Sequence, residues 1–217
     1  MYNLLLKELK LGVHPFFYLL PFLTGALMLI PGWLYFIVFL YFCFITIPNM
    51  FGGYKTQNDL LFSFMMPVTK KDIVKAKVAL IVILELLHVS TAVIYGIINI
   101  RLYPNFIYLF YGPSIGFWGL SLIMLGVFNI FFISIYFKTA YKYGVANIAG
   151  IVGAILFGGV AEWLGIKNHY LFNLFKGTGI HNNLIHVPIL LGGIMIFILF
   201  TYIAYKIAVM RFEKVEV

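Results

Sequence analysis

Residues 11–54 read LGVHPFFYLLPFLTGALMLIPGWLYFIVFLYFCFITIPNMFGGY and contain no Asp, Glu, Lys or Arg. A helix that crosses the hydrocarbon core of a bilayer needs roughly 20 apolar residues. The stretch is therefore long enough for two spans, and Pro31 and Gly32 mark a turn between them. Strands of a membrane barrel would alternate apolar and polar residues, which this stretch does not do. It predicts two membrane-spanning helices.

The rest of the chain has the same character. Hydrophobic residues make up 63% of the 217 residues and charged residues 10%, whereas about 25% of a typical soluble domain is charged. We therefore predict an all-α integral membrane protein with six transmembrane helices, forming one membrane domain over residues 1–217. The expected spans are residues 16–30, 33–50, 78–98, 115–137, 144–164 and 187–205.

The basic residues indicate an orientation for this bundle. Twelve of the fifteen lie on one side of the predicted spans, and the exceptions are Arg101, Lys167 and Lys176. Cytoplasmic loops carry an excess of Lys and Arg, so we expect both chain ends to be cytoplasmic. The same placement explains the net charge of +8, because lysines beside an anionic leaflet need no further partner. We expect contact with membrane lipids and none with nucleic acid.

Residues 1–14 have the pattern of an amphipathic helix. The apolar positions recur at helical spacing and the polar positions fall opposite them. The apolar set is Tyr2, Leu5, Leu6, Leu9 and Val13, and the polar set is Asn3, Lys7, Lys10 and His14. Such a helix would lie flat in the cytoplasmic interface. The alternative is a plain extension of the first span.

Residues 51–77 form the longest predicted cytoplasmic loop and contain signals for two helices. Asn58 is placed to cap a short helix, and Pro67 ends it, because a residue that precedes proline is disfavoured in helical geometry. Thr69 and Asp72 have capping-box spacing at the start of a second helix that continues into span three. The apolar residues expected to share one face of the short helix are Leu60, Leu61, Phe64 and Met65. The alternative interpretation is a surface loop whose lysines contact headgroups.

Polar residues within the spans are few. Glu85 lies deep in span three, where a charge facing lipid would be costly, so it should face the bundle or a wet cavity. His88, Tyr95 and Asn99 continue roughly the same stripe. Two interpretations stay open at this point. The stripe lines a translocation pathway, or it makes satisfied contacts between helices.

Small residues recur every four positions in span five, at Ala146, Gly150, Ala154 and Gly158. This spacing allows two membrane helices to approach closely. The seam would lie either within the chain or against a second protomer.

Enzymatic motifs are absent from the sequence. It contains no G-x-x-x-x-G-K-[ST], no G-x-S-x-G and no H-E-x-x-H. His169, His181 and His186 match no metal-site spacing. We therefore expect no catalytic residue, no metal and no cofactor in this chain, and any ATP would have to be bound by another one.

The loop also carries a family resemblance. Residues 58–62 read NDLLF and residues 66–74 read MPVTKKDIV, followed by Ala76 and Lys77. Together with six spans and an amphipathic N-terminal helix, this pattern resembles small bacterial ABC-2-type transporter permeases. It is most similar to the group that includes permeases of phenol-soluble-modulin and antimicrobial-peptide exporters. Met66 stands where the family often has leucine.

The resemblance implies that the loop docks on a separate ABC ATPase, which binds ATP and Mg²⁺. It implies a pathway between two permease chains (a homodimer or a heterodimer) in the bacterial cytoplasmic membrane, and short outer helices between spans five and six. An amphipathic peptide or a lipophilic compound would suit such a pathway. The residues expected to couple to the ATPase are Asp59, Leu61, Phe62, Phe64, Pro67, Thr69, Lys70, Lys71 and Asp72. The alternatives are a secondary, ion-coupled transporter and a membrane-embedded enzyme.

Overall fold

The computed structural model describes residues 2–139, 142–176 and 180–215. Over these ranges the chain forms helices and turns, and no strand. The helices are α1 (Tyr2–Lys7, continued by a π-helical turn Glu8–Gly12), α2 (Phe16–Gly25, continued by a 3-10 turn Ala26–Leu29), α3 (Phe36–Tyr41, continued by a π-helical turn Phe42–Thr46), α4 (Ile47–Thr56), α5 (Asp59–Met65), α6 (Lys70–Leu102), α7 (Ile115–Thr139), α8 (Tyr143–Lys167), α9 (His169–Lys176) and α10 (Ile180–Glu213).

Five helical segments in the described part of the chain are long and apolar enough to cross a membrane. They are Phe36–Thr56, Lys70–Leu102, Ile115–Thr139, Tyr143–Lys167 and His186–Glu213. A sixth span is obtained if Asn3–Gly12 and Phe16–Leu29, which meet at a bend of 71°, are counted together. The predicted class, an all-α protein with several membrane spans, is confirmed.

The first predicted span, residues 16–30, falls on Phe16–Leu29, which is shorter than each of the five long segments. It has ten α-helical residues and a four-residue 3-10 turn, fewer than the roughly 20 that a straight span needs. Val13 is extended between the N-terminal helix and α2, and Pro15 directly precedes the first residue of α2. The chain is helical over nearly the whole of the predicted range, but it is not one continuous α-helix, because the last four helical residues form a 3-10 turn.

The buried and exposed faces of the N-terminal helix differ from those that the sequence predicts. Leu4 and Glu8 are buried, and Lys7 is partly buried, although Lys7 was assigned to the solvent face. The π-helical turn from Glu8 to Gly12 adds a residue per turn, so positions after Lys7 leave the 3.6-residue phase. Lys7 itself turns inwards because it pairs with Glu8 and Asp59, so the prediction of a solvent-facing Lys7 was wrong.

Helix α7 lies at the centre of the bundle, packed along its length between α8 and α10. Glycine permits the close crossing, because a Cβ atom at Gly119 would lie 2.5 Å from the Ile189 carbonyl oxygen. On the other side of α7 the rings of Phe128 and Phe132 stack, with centroids 5.3 Å apart. The polar groups of the bundle interior are positioned around this central helix.

Two further predictions concern the connections. Helix α6 is continuous from Lys70 to Leu102, so the second loop helix and span three are one rigid element. The short helix α9 lies between α8 and α10, where short helices were expected. Its Phe175 is buried. The centroid of the Phe175 ring lies 4.5 Å from that of Tyr111 and 4.8 Å from that of His186.

Candidate functional site

The loop between α4 and α6 folds as a helix, a break and a capped restart. Helix α5 ends at Met65, and Met66 is extended before Pro67. The backbone N–H of Asp72 donates to Thr69 Oγ1 (3.2 Å), and the N–H of Thr69 donates to Asp72 Oδ2 (3.3 Å). The predicted capping box is present. Hydrogen bonds from the hydroxyl and backbone of Thr69 lower the pKa of the exposed Asp72 carboxyl.

Asn58 occupies the position before α5 but does not cap it through its side chain. Its backbone is left-handed, with φ of 49°, and its side chain makes no capping hydrogen bond. Asn tolerates this conformation better than most residues do. The predicted cap at Asn58 was therefore wrong, and the residue instead turns the chain between α4 and α5.

The faces of α5 also differ from the prediction. Leu60 is buried, whereas the exposed fractions of Leu61, Phe62 and Met65 are 46%, 54% and 82%. Phe64 is half-buried and stacks on Phe212 of α10, with ring centroids 5.8 Å apart. The predicted single face of Leu60, Leu61, Phe64 and Met65 is thus divided between interior and surface. We call Leu61, Phe62 and Met65 the apolar triad.

The buried side of α5 forms ion pairs with residues that lie far apart in the sequence. Lys77 of α6 donates from Nζ to Asp59 Oδ2 (2.7 Å) and to Glu8 Oε2 (3.3 Å). Lys7 donates to Glu8 Oε1 (3.2 Å) and to Ser63 Oγ (3.0 Å), and it also pairs with Asp59. We call Lys7, Glu8, Asp59 and Lys77 the ion network. It joins the N-terminal helix, α5 and α6.

The charges of the ion network balance, since it contains two ammonium and two carboxylate groups. Lys77 and Glu8 have 0% and 1% of their side chains exposed, and such burial is tolerable only when the charges are paired. The Lys77 ammonium also lies over the Tyr54 ring, 3.4 Å from its centroid. Burial alone would raise the pKa of Asp59, but Lys77 and Lys7 outweigh it and hold the pKa below its ordinary 3.8.

A sequence signal for this network existed. Glu8 and Asp59 are two of only seven acidic residues in the chain, and both lie in lysine-rich segments. Lys77 is four residues from Ile73 and from Ile81, which are both buried on α6. This spacing places Lys77 on the buried face of the helix.

Lys70 and Lys71, both predicted coupling residues, have different surroundings. Lys70 donates from Nζ to the backbone oxygens of Val215 (2.7 Å) and Glu213 (3.3 Å), so it caps the end of α10. Lys71 is exposed and lines a groove between α6 and α10. The structure therefore ties Lys70 to the chain's own C-terminal segment.

Glu85 lies fully buried where α6, α7 and α10 meet. The Asn129 amide donates to Glu85 Oε2 (2.9 Å) and to Thr201 Oγ1 (3.1 Å). His88 is also buried, but its Nδ1 lies 3.1 Å from the Leu84 carbonyl oxygen and its ring packs 5.1 Å from that of Phe42. Glu85 and His88 thus share a helix but have different neighbours.

Three atoms of these polar side chains have no hydrogen-bond partner among the described residues. They are Glu85 Oε1, His88 Nε2 and Asn129 Oδ1. Buried polar atoms are rarely left unpaired, and unpaired ones are often found at functional sites. The predicted pathway role of Glu85 and His88 stays a prediction.

The part of the predicted stripe nearest the C-terminal end of α6 makes hydrogen bonds and packing contacts with neighbouring segments. Asn99 donates to the Met28 carbonyl (2.8 Å) and to the Tyr35 hydroxyl (3.3 Å), and it accepts from the Tyr108 hydroxyl. Tyr95 packs on Gly25, where an added Cβ would lie 2.9 Å from its ring. Asn99 makes the kind of satisfied contact between helices that was the second interpretation.

The small-residue stripe of α8 is buried inside the chain. Its four members Ala146, Gly150, Ala154 and Gly158 are all buried. A Cβ at Gly150 would lie 2.8 Å from the Phe128 ring, and one at Gly158 would lie 3.4 Å from Met124 Sδ. Gly150 and Gly158 thus pack against α7, and Gly158 also lies near Phe36 of α3.

The two described histidines of the connection between α8 and α10 have different surroundings. His169 is exposed, and His186 Nε2 lies 3.1 Å from the Leu174 carbonyl oxygen. The side chain of His181 lies outside the described residues. Among the described residues, no three His, Cys, Asp or Glu side chains form a cluster that could hold a metal ion.

Comparison with known proteins gives a family. The sequence model of a family described as "ABC-2 family transporter protein" matches residues 3–213. Neither curated proteins nor solved structures gave a match. The matched range covers the N-terminal helix, the elbow formed by α5 and the start of α6, and every long span. The chain therefore belongs to the ABC-2 transporter family and is a multi-pass membrane permease of that family.

Proposed function

We propose that this chain is the permease subunit of an ATP-driven transporter and that a separate ABC ATPase docks on its elbow. The observation that carries the proposal is the apolar triad, which is exposed on α5 although α5 is firmly attached to the bundle. Large apolar side chains that protrude from a rigid element are typical anchors of protein interfaces. The proposal assigns ATP and Mg²⁺ to the partner, and it assigns no enzymatic activity to the permease itself.

The ion network gives the elbow a mechanical connection to the bundle. Asp59 at the start of α5 and Lys77 near the start of α6 are bridged directly. Helix α6 has 33 residues, a length of about 50 Å at 1.5 Å per residue. A force applied to α5 would therefore reach Glu85 and Asn99 along one continuous helix.

The orientation follows from the same end of the molecule. The lysine-rich end, which holds the elbow and the C-terminal segment, would face the cytoplasm by the positive-inside rule. In this proposed orientation both chain ends are cytoplasmic, and the family resemblance favours the bacterial plasma membrane. In that orientation a cytoplasmic ATPase would have access to the apolar triad.

A second permease chain would complete the pathway. Helices α8 and α10 leave many large apolar side chains exposed. Either lipid acyl chains or a second copy of the chain could pack against such apolar faces. Export of an amphipathic peptide or a lipophilic compound fits a bundle whose interior has few charges. The sequence resemblance to peptide-exporter permeases favours the peptide.

Co-purification tests the docking proposal. The double variant Phe62→Ala, Met65→Ala removes two members of the triad. We expect it to stay in the membrane but to lose the ATPase that wild type retains in mild detergent, as measured by mass spectrometry of the purified complex. The matched control is Phe16→Ala, Leu19→Ala, which removes exposed apolar side chains from α2 (45% and 61% exposed). Retention of the ATPase by both variants, or its absence from wild type, would refute docking at the elbow.

A further inference from the structure

A groove runs between α6 and α10 at the lysine-rich end of the bundle. Its volume is about 620 Å³, within the roughly 300–1,000 Å³ typical of small-molecule sites. Three lysines line it, Lys71 and Lys75 from α6 and Lys206 from α10. The remaining lining is mainly apolar, so the groove combines a cationic end with an apolar floor.

Helical spacing produces this arrangement. On α6, Lys71 and Lys75 are followed on the same face by Val78 and Val82. On α10, Ile198 lies two turns before Lys206. Both helices therefore present apolar side chains towards the middle of the bilayer and ammonium groups towards its surface.

The three groove lysines are only partly compensated, since the Asp72 carboxylate attracts Lys75. Among the described residues that line it, none is Asp or Glu. The nearby Asp72 carboxylate is engaged by Thr69 in the capping box. The Lys206 ammonium lies over the Tyr202 ring, 5.4 Å from its centroid, and such a cation–π contact does not neutralise its charge.

We propose that this groove binds an anionic phospholipid of the leaflet at the lysine-rich end. The lysines hold the phosphate, and an acyl chain lies along the apolar floor. Basic pockets between membrane helices bind anionic headgroups by this means. A second copy of the chain would bring its own three lysines to the same face, and like charges would oppose that pairing.

The bound lipid would lie close to the buried polar side chains around Glu85. Thr201 lines the inner part of the groove, and its hydroxyl accepts a hydrogen bond from Asn129, which also holds Glu85. An acyl chain in the groove would therefore brace α10 against α6 and would be linked to Glu85 through two side chains, Thr201 and Asn129.

Lipid retention tests the proposal. The purified protein is exchanged into phosphatidylglycerol or phosphatidylcholine, and bound lipid is measured by native mass spectrometry. Wild type should prefer phosphatidylglycerol. The variant Lys71→Gln, Lys75→Gln, Lys206→Gln should lose roughly fivefold in that preference per lysine, on the order of a hundredfold in all. A second variant, Ala79→Phe, tests the apolar floor. It fills part of the groove without changing its charge, and it should also weaken the retention of phosphatidylglycerol.

The control variant removes three exposed lysines outside the groove, Lys10→Gln, Lys55→Gln and Lys138→Gln. It should keep the wild-type preference. Equal losses in the two triple variants would show charge attraction without a site, and unchanged retention in Ala79→Phe would place the lipid elsewhere. If crosslinks joined the grooves of two chains and the lipid preference were absent, the occupant would be a second copy, and the proposal would be overturned.

Discussion

Lys77 shows how a charged residue comes to be fully buried in this permease. Its stem continues the buried face of α6, and its ammonium meets two carboxylates and a tyrosine ring at the end of that face. A lysine with one such partner would retain a large desolvation penalty, whereas two carboxylates and a second lysine balance the site. The position is therefore specific for a cation.

Substitution of Lys77 should destabilise the protein strongly. Lys77→Met keeps the apolar stem but leaves Glu8 and Asp59 with one cation between them. Loss of one partner from a buried pair costs about 3–5 kcal/mol. Thermal unfolding in detergent measures the change, with the exposed Lys75→Met as the matched control. Adding Glu8→Gln should restore part of the stability, because it returns the charges to balance. Equal melting of Lys77→Met and Lys75→Met would contradict the importance of the network.

Acid should weaken the same network through Asp59. Its pKa is held below 3.8 in the folded protein, so below that pH the unfolded chain binds more protons than the folded one. The stabilising effect of Asp59 is therefore fully present above about pH 4 and is lost as the pH falls through the lowered pKa. Melting temperatures between pH 3 and 6 should show the difference between wild type and Asp59→Asn shrinking towards the acid end. A difference that stayed constant would argue against a lowered pKa.

At the scale of elements, the packing of α8 depends on the small residues of its buried face. The glycines and alanines of its inner face allow the Phe128 and Phe132 rings of α7 to lie directly against its backbone. Close packing of this kind is a main stabilising contribution inside a bilayer, where burial of apolar surface from water contributes little. The stripe therefore fixes the distance between the two helices.

A larger residue at the seam should force α8 away from α7. Gly150→Leu places a side chain where the Cβ alone would be 2.8 Å from the Phe128 ring, and overpacking of this kind costs about 1–3 kcal/mol. Gly159→Leu is the matched control, since a Cβ there meets nothing within 4 Å. Both changes improve helix propensity equally. Similar thermal stability in the two variants would show that the seam is more tolerant than its geometry indicates.

At the scale of the whole molecule, the two ends of the bundle differ in charge and in structure. One end carries the ion network, the elbow and the lysine-lined groove. The other end carries α9 and an aromatic contact between Phe175 and Tyr111, where burial together with the negative charge of Glu162 raises the pKa of Tyr111 to about 12. This polarity makes the orientation testable from either side.

Cysteine labelling should establish the orientation. In a Cys43→Ser background, Thr56→Cys lies at the lysine-rich end and Asn168→Cys at the other, and both positions are exposed. A membrane-impermeant maleimide applied to intact cells should label Asn168→Cys only. Thr56→Cys should react after the cells are opened, which serves as its control. Labelling of Thr56→Cys in intact cells would reverse the proposed topology.

The sequence by itself determined the fold class, because charge-free runs of this length are compatible only with helices in lipid. It also determined the break and capped restart of the elbow, since proline geometry and the Thr69–Asp72 capping box are local effects. For the same reason it located the close-packing stripe of α8. These features depend on residues that are neighbours along the chain or on one helix.

Only the tertiary structure decided which charges meet and which apolar residues stay exposed. Lys7, Glu8, Asp59 and Lys77 come from three separated segments, and a helical wheel cannot place them together. The phase change at the π-helical turn after Lys7 and the left-handed Asn58 further alter which side chains point inwards. The exposed face of α5 follows from those long-range ion pairs. Local periodicity could therefore predict the helix but could not decide between Phe62 and Phe64 as its exposed aromatic residue.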